Sequence, residues 1–234
     1  MCETGEHGTE HVHVAVHRHA MEANDEIAGR LRRSFDARGI AVLNLISAPG
    51  SGKTALLERV LPLLAPLKVA VLVGDVETER DAERLRGTGV PVAQIVTSGT
   101  CHLEAAMVES HLPDVDRRNL DLLVIENVGN LVCPTSYDLG EDAKVVLMSV
   151  TEGEDKPLKY PAIFHRAELA LLTKVDLVPH LDVDLGLATE NIHAIHPNLQ
   201  VLEVSARTGH GIEDFVGWVR RHVEQKRALS LEGD

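Results

Sequence analysis

The sequence predicts an α/β fold with a mostly parallel central sheet and helices on both faces. Three observations carry this. Seven short runs rich in Val, Ile and Leu alternate with helical patterns, and each run is nearly continuous in its apolar character, as in strands buried on both faces. The first run ends in a glycine-rich loop followed by Lys-Thr. Polar, chemically capable residues follow most of the runs, which gathers them at one edge of the sheet, where open α/β sheets bind their ligands.

In chain order, residues 1–20 form a polar lead-in holding His7, His11, His13, His17 and His19. No apolar period lets it pack, so it reads as a flexible, metal-binding tail. His11-Val12-His13 and His17-Arg18-His19 put imidazoles two apart, within reach of one metal in an extended chain. An N-terminal helix follows over 21–39, with Asn24 as its cap, Ile27, Leu31 and Phe35 on one stripe, and Gly39 as its stop. One domain then spans 40–225. Its predicted strands are 40–46, 69–73, 92–96, 120–125, 145–150, 169–172 and 201–204, and its predicted helices are 54–64, 80–85, 102–111, 185–195 and 212–225. Residues 226–234 are expected to fray.

The first loop, Ser47-Ala48-Pro49-Gly50-Ser51-Gly52-Lys53-Thr54, lies between a strand and a helix, the context a phosphate-binding P-loop requires. Gly50, Ser51 and Gly52 let successive N–H groups turn toward phosphates, and the helix N-terminus adds its positive end. Lys53 would reach the β/γ-phosphates and the Thr54 hydroxyl would ligand Mg²⁺. Ser47 stands where the first glycine of the pattern is usual.

Composition narrows the class. A formal charge of −13 over 234 residues argues against a nucleic-acid partner. No apolar run is long enough to span a bilayer, and the charged N-terminus is unlike a signal peptide, so a cytoplasmic location is expected. Three cysteines, Cys2, Cys101 and Cys133, make no disulfide framework and point to metal or thiol chemistry.

Thr173-Lys174-Val175-Asp176, after the sixth run, resembles the Asn-Lys-x-Asp element by which GTPases read guanine. One carboxylate, here Asp176, accepts from both guanine N1–H and N2–H₂, and the Lys174 stem lies along the base plane. Ser205-Ala206, after the last run, resembles the element whose backbone amide closes over guanine O6. The signature Lys that ParA/MinD-like ATPases carry near the start of the loop has no counterpart in Ser47-Ala48-Pro49.

Two longer stretches, Ile125-Glu126-Asn127-Val128-Gly129-Asn130-Leu131-Val132-Cys133-Pro134 and the run from Ser149 to Pro161, resemble the HypB family of hydrogenase nickel-incorporation GTPases, P-loop GTPases of the SIMIBI class. With the P-loop, Gly74-Asp75 and Cys101-His102, the similarity covers roughly residues 40–220. The related urease accessory GTPases carry a Cys-Pro-His element that this chain lacks. The resemblance implies a GTPase that loads nickel into the [NiFe] hydrogenase large-subunit precursor together with a HypA-type nickel/zinc accessory protein.

On that reading the catalytic groups are Lys53, Asp75 and Glu126. Asp75 joins Thr54 in the Mg²⁺ shell and positions the attacking water, and the Gly129 amide senses the γ-phosphate. Cys101, His102 and Cys133 form a metal site whose two thiolates and one imidazole suit Zn²⁺ or Ni²⁺. Three ligands leave a position open, as a delivery site needs. GTP-dependent homodimerisation is expected to gate that site, because Cys133 follows the segment nearest the γ-phosphate. Two other readings are a urease-type nickel GTPase, and a nickel storage protein whose nucleotide site is vestigial.

Overall fold

Seven strands, β1 (Ala41–Ser47), β2 (Val69–Asp75), β3 (Val92–Val96), β4 (Leu122–Glu126), β5 (Ala143–Ser149), β6 (Leu169–Thr173) and β7 (Gln200–Val204), pair in parallel in the order β3-β2-β4-β1-β5-β6-β7. The structure, a computed structural model, describes residues 7–75, 80–97, 99–115 and 119–232, with side chains between 19 and 230. Each strand starts and ends within two residues of a predicted run. Because parallel strands need crossovers, every strand ends at the same edge, and the loops after β1, β2, β4, β5, β6 and β7 collect there.

The helices are α1 (His7–Asp36), α2 (Lys53–Val60), α3 (Arg80–Arg86), α4 (Ala105–Val115), α5 (Cys133–Ser136), α6 (Lys156–Lys159), α7 (Pro161–Arg166), α8 (Leu185–Ile195) and α9 (Ile212–Glu232). They cover both faces. Ala41, Leu43 and Leu45 of β1 face a core built with Leu56, Leu57 and Val60 of α2, Leu85 of α3, and Phe215, Val219 and Val223 of α9. Val42 faces the other side with Ala28, Leu31 and Phe35 of α1 and Val108 of α4. Ile46 packs there with Ile163 and Phe164 of α7 and Ile192 of α8. The period-two alternation of a strand thus feeds two apolar layers at once, which is why β1 reads as continuously apolar. Among the described residues no helix is long and apolar enough to cross a membrane.

Both ends differ from expectation. α1 starts at His7, not after a cap at Asn24, so the lead-in is helical from His7 onward. Asn24 is buried in mid-helix and serves two distant backbone groups: its Nδ2 donates to Asp138 O at 2.8 Å, and its Oδ1 accepts from Ala105 N at 2.8 Å. It therefore caps a helix, but through space, at the start of α4. At the other end α9 continues to Glu232, so residues 226–232 are helical. Lys226 pairs with Asp36 and Asp142, and Arg227 with Asp121, which ties α9 to α1 and to the starts of the central strands. Burial opposes the Lys226 charge, but the two carboxylates hold its pKa above the ordinary lysine value.

Candidate functional site

The loop after β1 turns tightly at Gly50 and Gly52, whose φ angles of 75° and 96° lie in the left-handed region that glycine adopts without penalty. α2 then opens with Lys53 and Thr54, both buried. Lys53 Nζ donates to Ser47 Oγ at 2.8 Å, so the serine in the first glycine position holds the lysine side chain in this state. Burial pushes the Lys53 pKa down, opposed by the charges of Glu126, Asp81, Glu152 and Asp75. Thr54 Oγ1 donates to Glu126 Oε1 at 2.7 Å. The second Glu126 oxygen is buried with no hydrogen-bond partner, and burial raises this carboxyl to about 7 against the pull of Lys53 and Thr54. An orphaned buried carboxylate oxygen beside a threonine hydroxyl suits a hard divalent cation such as Mg²⁺.

A cleft of about 340 Å³ opens over these groups, lined by Gly50, Gly52, Lys53, Thr54, Asp75, Glu126 and Gly129 among others. All three residues expected to be catalytic face it. So do Asp81 and Arg84 of α3 and Asn127, which sequence reasoning passed over. Gly129 lies against the loop: a Cβ there would come within 3.0 Å of Pro49 Cα, so only glycine lets the two backbones approach.

A second cleft of about 260 Å³ adjoins it and shares Gly52 and Ala55. Its walls include Thr173, Lys174, Asp176, Leu177, Ala206 and Arg207. Ser205 Oγ donates to Asp176 Oδ1 at 2.6 Å and fixes the carboxylate. Lys174, at φ 61°, lays its stem toward Gly52 and donates to Gly50 O at 2.6 Å. Thr173, in the place of the usual Asn, donates to Ser51 O at 2.6 Å and ties this element to the phosphate loop. A larger cleft, about 510 Å³, lies elsewhere, near the starts of β5 and β6. It has no glycine-rich loop, and its Arg32 and Lys144 are ion-paired to Asp138 and Glu141.

Cys101, His102 and Cys133 converge, their donor atoms all lying within 4.8 Å of one another. Cys101 Sγ is 2.9 Å from Cys133 Sγ and 3.8 Å from His102 Nδ1. The hydrogen bond with Cys101, and then burial, push the Cys133 thiol above its usual range, so metal binding here releases protons. Two soft thiolates with one imidazole fit Zn²⁺ or Ni²⁺.

One short segment joins this site to the nucleotide cleft. Asn127 follows Glu126 directly and accepts through Oδ1 from Leu103 N, the residue after His102, at 3.3 Å. Its Nδ2 donates to the buried Asn44 at 3.1 Å. Asn130 Nδ2 donates to Cys101 O at 3.2 Å. Neither asparagine was singled out from sequence; the available signal was their position between Glu126 and Cys133.

Of the tail histidines, only His19 has a described side chain. His19 is exposed and pairs with Glu22; the side chains of His7, His11, His13 and His17 lie outside the described residues. On the helical backbone positions 7 and 11, and 13 and 17, share stripes, in place of the pairs two apart expected of an extended chain.

The chain is similar to proteins already known. The family described as CobW/HypB/UreG, nucleotide-binding domain, matches residues 41–203. The hydrogenase maturation factor HypB of Azotobacter vinelandii is 51% identical over 199 residues, which cover 85% of this chain and 66% of that protein. The chain thus spans just under two thirds of that relative's length. The crystal structure of HypB from Helicobacter pylori in complex with nickel aligns with a TM-score of 0.82 at 38% identity, over 88% of this chain and 97% of that one. The crystal structure of hydrogenase maturation factor HypB from Archaeoglobus fulgidus gives 0.81 at 36% identity, over 86% and 99%.

Proposed function

Because the chain belongs to the CobW/HypB/UreG family, and within it to the HypB proteins, we propose that it is a GTP-hydrolysing metallochaperone. It binds nickel and helps insert it into a [NiFe] hydrogenase large-subunit precursor, working with a HypA-type accessory protein. The observation that carries this reading is the single segment Glu126–Cys133, which begins at the phosphate cleft and ends at a Cys/His metal site.

On this reading the nucleotide spans both clefts. The Lys53 ammonium leaves Ser47 and turns to the β/γ-phosphates, and backbone N–H groups from Gly50 to Thr54 surround them. Mg²⁺, when bound, neutralises charge that develops on the phosphate oxygens. Thr54 and Asp75 would hold the ion, with the free oxygen of Glu126 available to it once the bond to Thr54 is released, and Asp75 would orient the attacking water. Asp176, held by Ser205, accepts from guanine N1–H and N2–H₂, while the Ala206 amide meets O6. A γ-phosphate at Gly129 displaces the 126–133 segment, and with it Asn127, Asn130 and Cys133, which alters the metal site. GTP-dependent pairing of two chains would complete a three-ligand site across a two-fold axis. The nickel bound in the Helicobacter pylori structure supports the choice of metal.

Base selection tests the GTPase reading. Asp176→Asn should shift preference from GTP toward xanthosine triphosphate, because an amide donates where xanthine presents a carbonyl. Phosphate release would be measured with both nucleotides. A variant that keeps full GTP preference would show that Asp176 does not read the base.

A further inference from the structure

His102 offers two nitrogens, and its surroundings differ on the two sides of the ring. Nδ1 faces the thiols, 3.8 Å from Cys101 Sγ. Nε2 faces Glu104, 3.7 Å from Oε1. Glu104 is outside the group of donor atoms that gather within 4.8 Å, so it stands behind the ring and not among the ligands. The imidazole is further held by Tyr137, whose ring stacks on it with centroids 3.9 Å apart and planes 29° apart. Cys133 is the first residue of α5, and Tyr137 is the residue that follows its last turn. The one short stretch that supplies a sulfur ligand therefore also supplies the plate under the imidazole.

The backbone of Glu104 is fixed, while its side chain is partly exposed. Its carbonyl accepts from Met107 N at 3.0 Å and Val108 N at 3.2 Å, which makes it the residue that opens α4. The next amide, Ala105 N, is held by the buried Asn24. The Glu104 side chain itself is 42% exposed against 13% for His102. That exposure leaves room for a rotation through the ~0.5–1 Å that separates an ion-pair distance from a hydrogen bond.

We propose that Glu104 is a positioning residue of the metal site: its carboxylate holds the Nε2–H of His102, leaving the Nδ1 lone pair to the metal, while Tyr137 fixes the plane of the ring. The inference rests on the Cys101/His102/Cys133 reading above and adds to it the ligating nitrogen and the groups that select it. A neutral imidazole has one lone pair, so whichever nitrogen binds the metal, the other must carry the proton. A carboxylate on the far nitrogen favours that tautomer and makes the near one a better donor, and losing such a partner typically weakens metal binding about 10–100-fold. The exposure of Glu104 puts the expected effect at the lower end of that range.

The test uses the full chain, with Ni²⁺ and Zn²⁺ affinities measured by competition with a chromophoric chelator. It also uses ¹⁵N spectra of the Zn²⁺-loaded protein, which identify the protonated and the metal-bound nitrogen of His102. The native protein should show Nδ1 bound and Nε2 protonated. Glu104→Ala should bind both metals about tenfold more weakly. Glu104→Gln should recover part of the loss, because an amide oxygen accepts the same N–H, and GTP affinity measured without nickel or zinc should be unchanged in both variants. Affinity of Glu104→Ala within twofold of native, or a metal on Nε2, would overturn the inference. Cys133→Ala separates this from the larger reading: if it binds metal as tightly as native, the Cys/His site itself is not the metal site.

Discussion

Replacing Glu126 by Gln removes a carboxylate that the fold holds at a cost to its charge. Burial raises the group from 4.5 to about 7. The folded state therefore binds more protons than the unfolded state between those values, so stability falls as pH rises through the window and stays lower above it. At 1.36 kcal/mol per pH unit the displacement amounts to about 3 kcal/mol at pH 8. Part of this is offset in the variant, because the buried Lys53 loses the carboxylate that does most to sustain its charge. A net gain of about 1–2 kcal/mol at pH 8, vanishing near pH 4.5, is the expected result for Glu126→Gln without nucleotide or Mg²⁺. Urea unfolding of both proteins at pH 5 and pH 8 measures it, since titrations elsewhere in the chain cancel in the comparison. The same variant should lose Mg²⁺-dependent nucleotide binding, because the orphaned oxygen is then an amide. If native and variant change in stability equally between the two pH values, Glu126 is not the strained carboxylate inferred from its burial.

Two further outcomes concern the tail and assembly. Deleting residues 1–20 should lower the number of metal ions bound per chain while leaving GTP turnover nearly unchanged, read by elemental analysis and phosphate release; unaltered stoichiometry would reduce the tail to a linker. Light scattering should show a monomer with GDP and a dimer with a non-hydrolysable GTP analogue, with the dimer weakened in Cys133→Ala; a monomer in every nucleotide state would remove pairing from the mechanism.

The sheet was legible because a strand covered on both faces needs apolar side chains at every position, and Val145–Val150 or Val69–Val73 has no other soluble use. α8 matched its prediction of 185–195, helped by an Asp184 side chain that accepts from Gly186 N and Leu187 N. The four- to six-residue helices α5, α6 and α7 were missed. Each has a proline at its first turn but is too short to show a period, so its position is set by packing. The length of α9 was hidden for a related reason: Lys226 and Arg227 find their partners at Asp36, Asp142 and Asp121, far away in sequence. In the site, the loop and the base-reading element were visible because their chemistry is local. The bond from Thr173 to the Ser51 carbonyl joins loops 122 positions apart, so no local pattern shows it. Asn127, Asn130 and Tyr137 meet groups brought near by the fold, and their only signal in the sequence is a place close to Glu126 or Cys133, whereas Glu104 stands two residues from the His102 it faces.

The claim that nucleotide state governs the metal site is tested most directly by the nickel affinity of the purified chain with GDP and with a non-hydrolysable GTP analogue. Linkage through the Glu126–Cys133 segment predicts that the two affinities differ by about 5–150-fold, the range that 1–3 kcal/mol of coupling produces, and that nickel changes analogue affinity by the same factor. Nickel affinities that agree within error in the two nucleotide states would contradict the account, whatever the protein's GTPase activity.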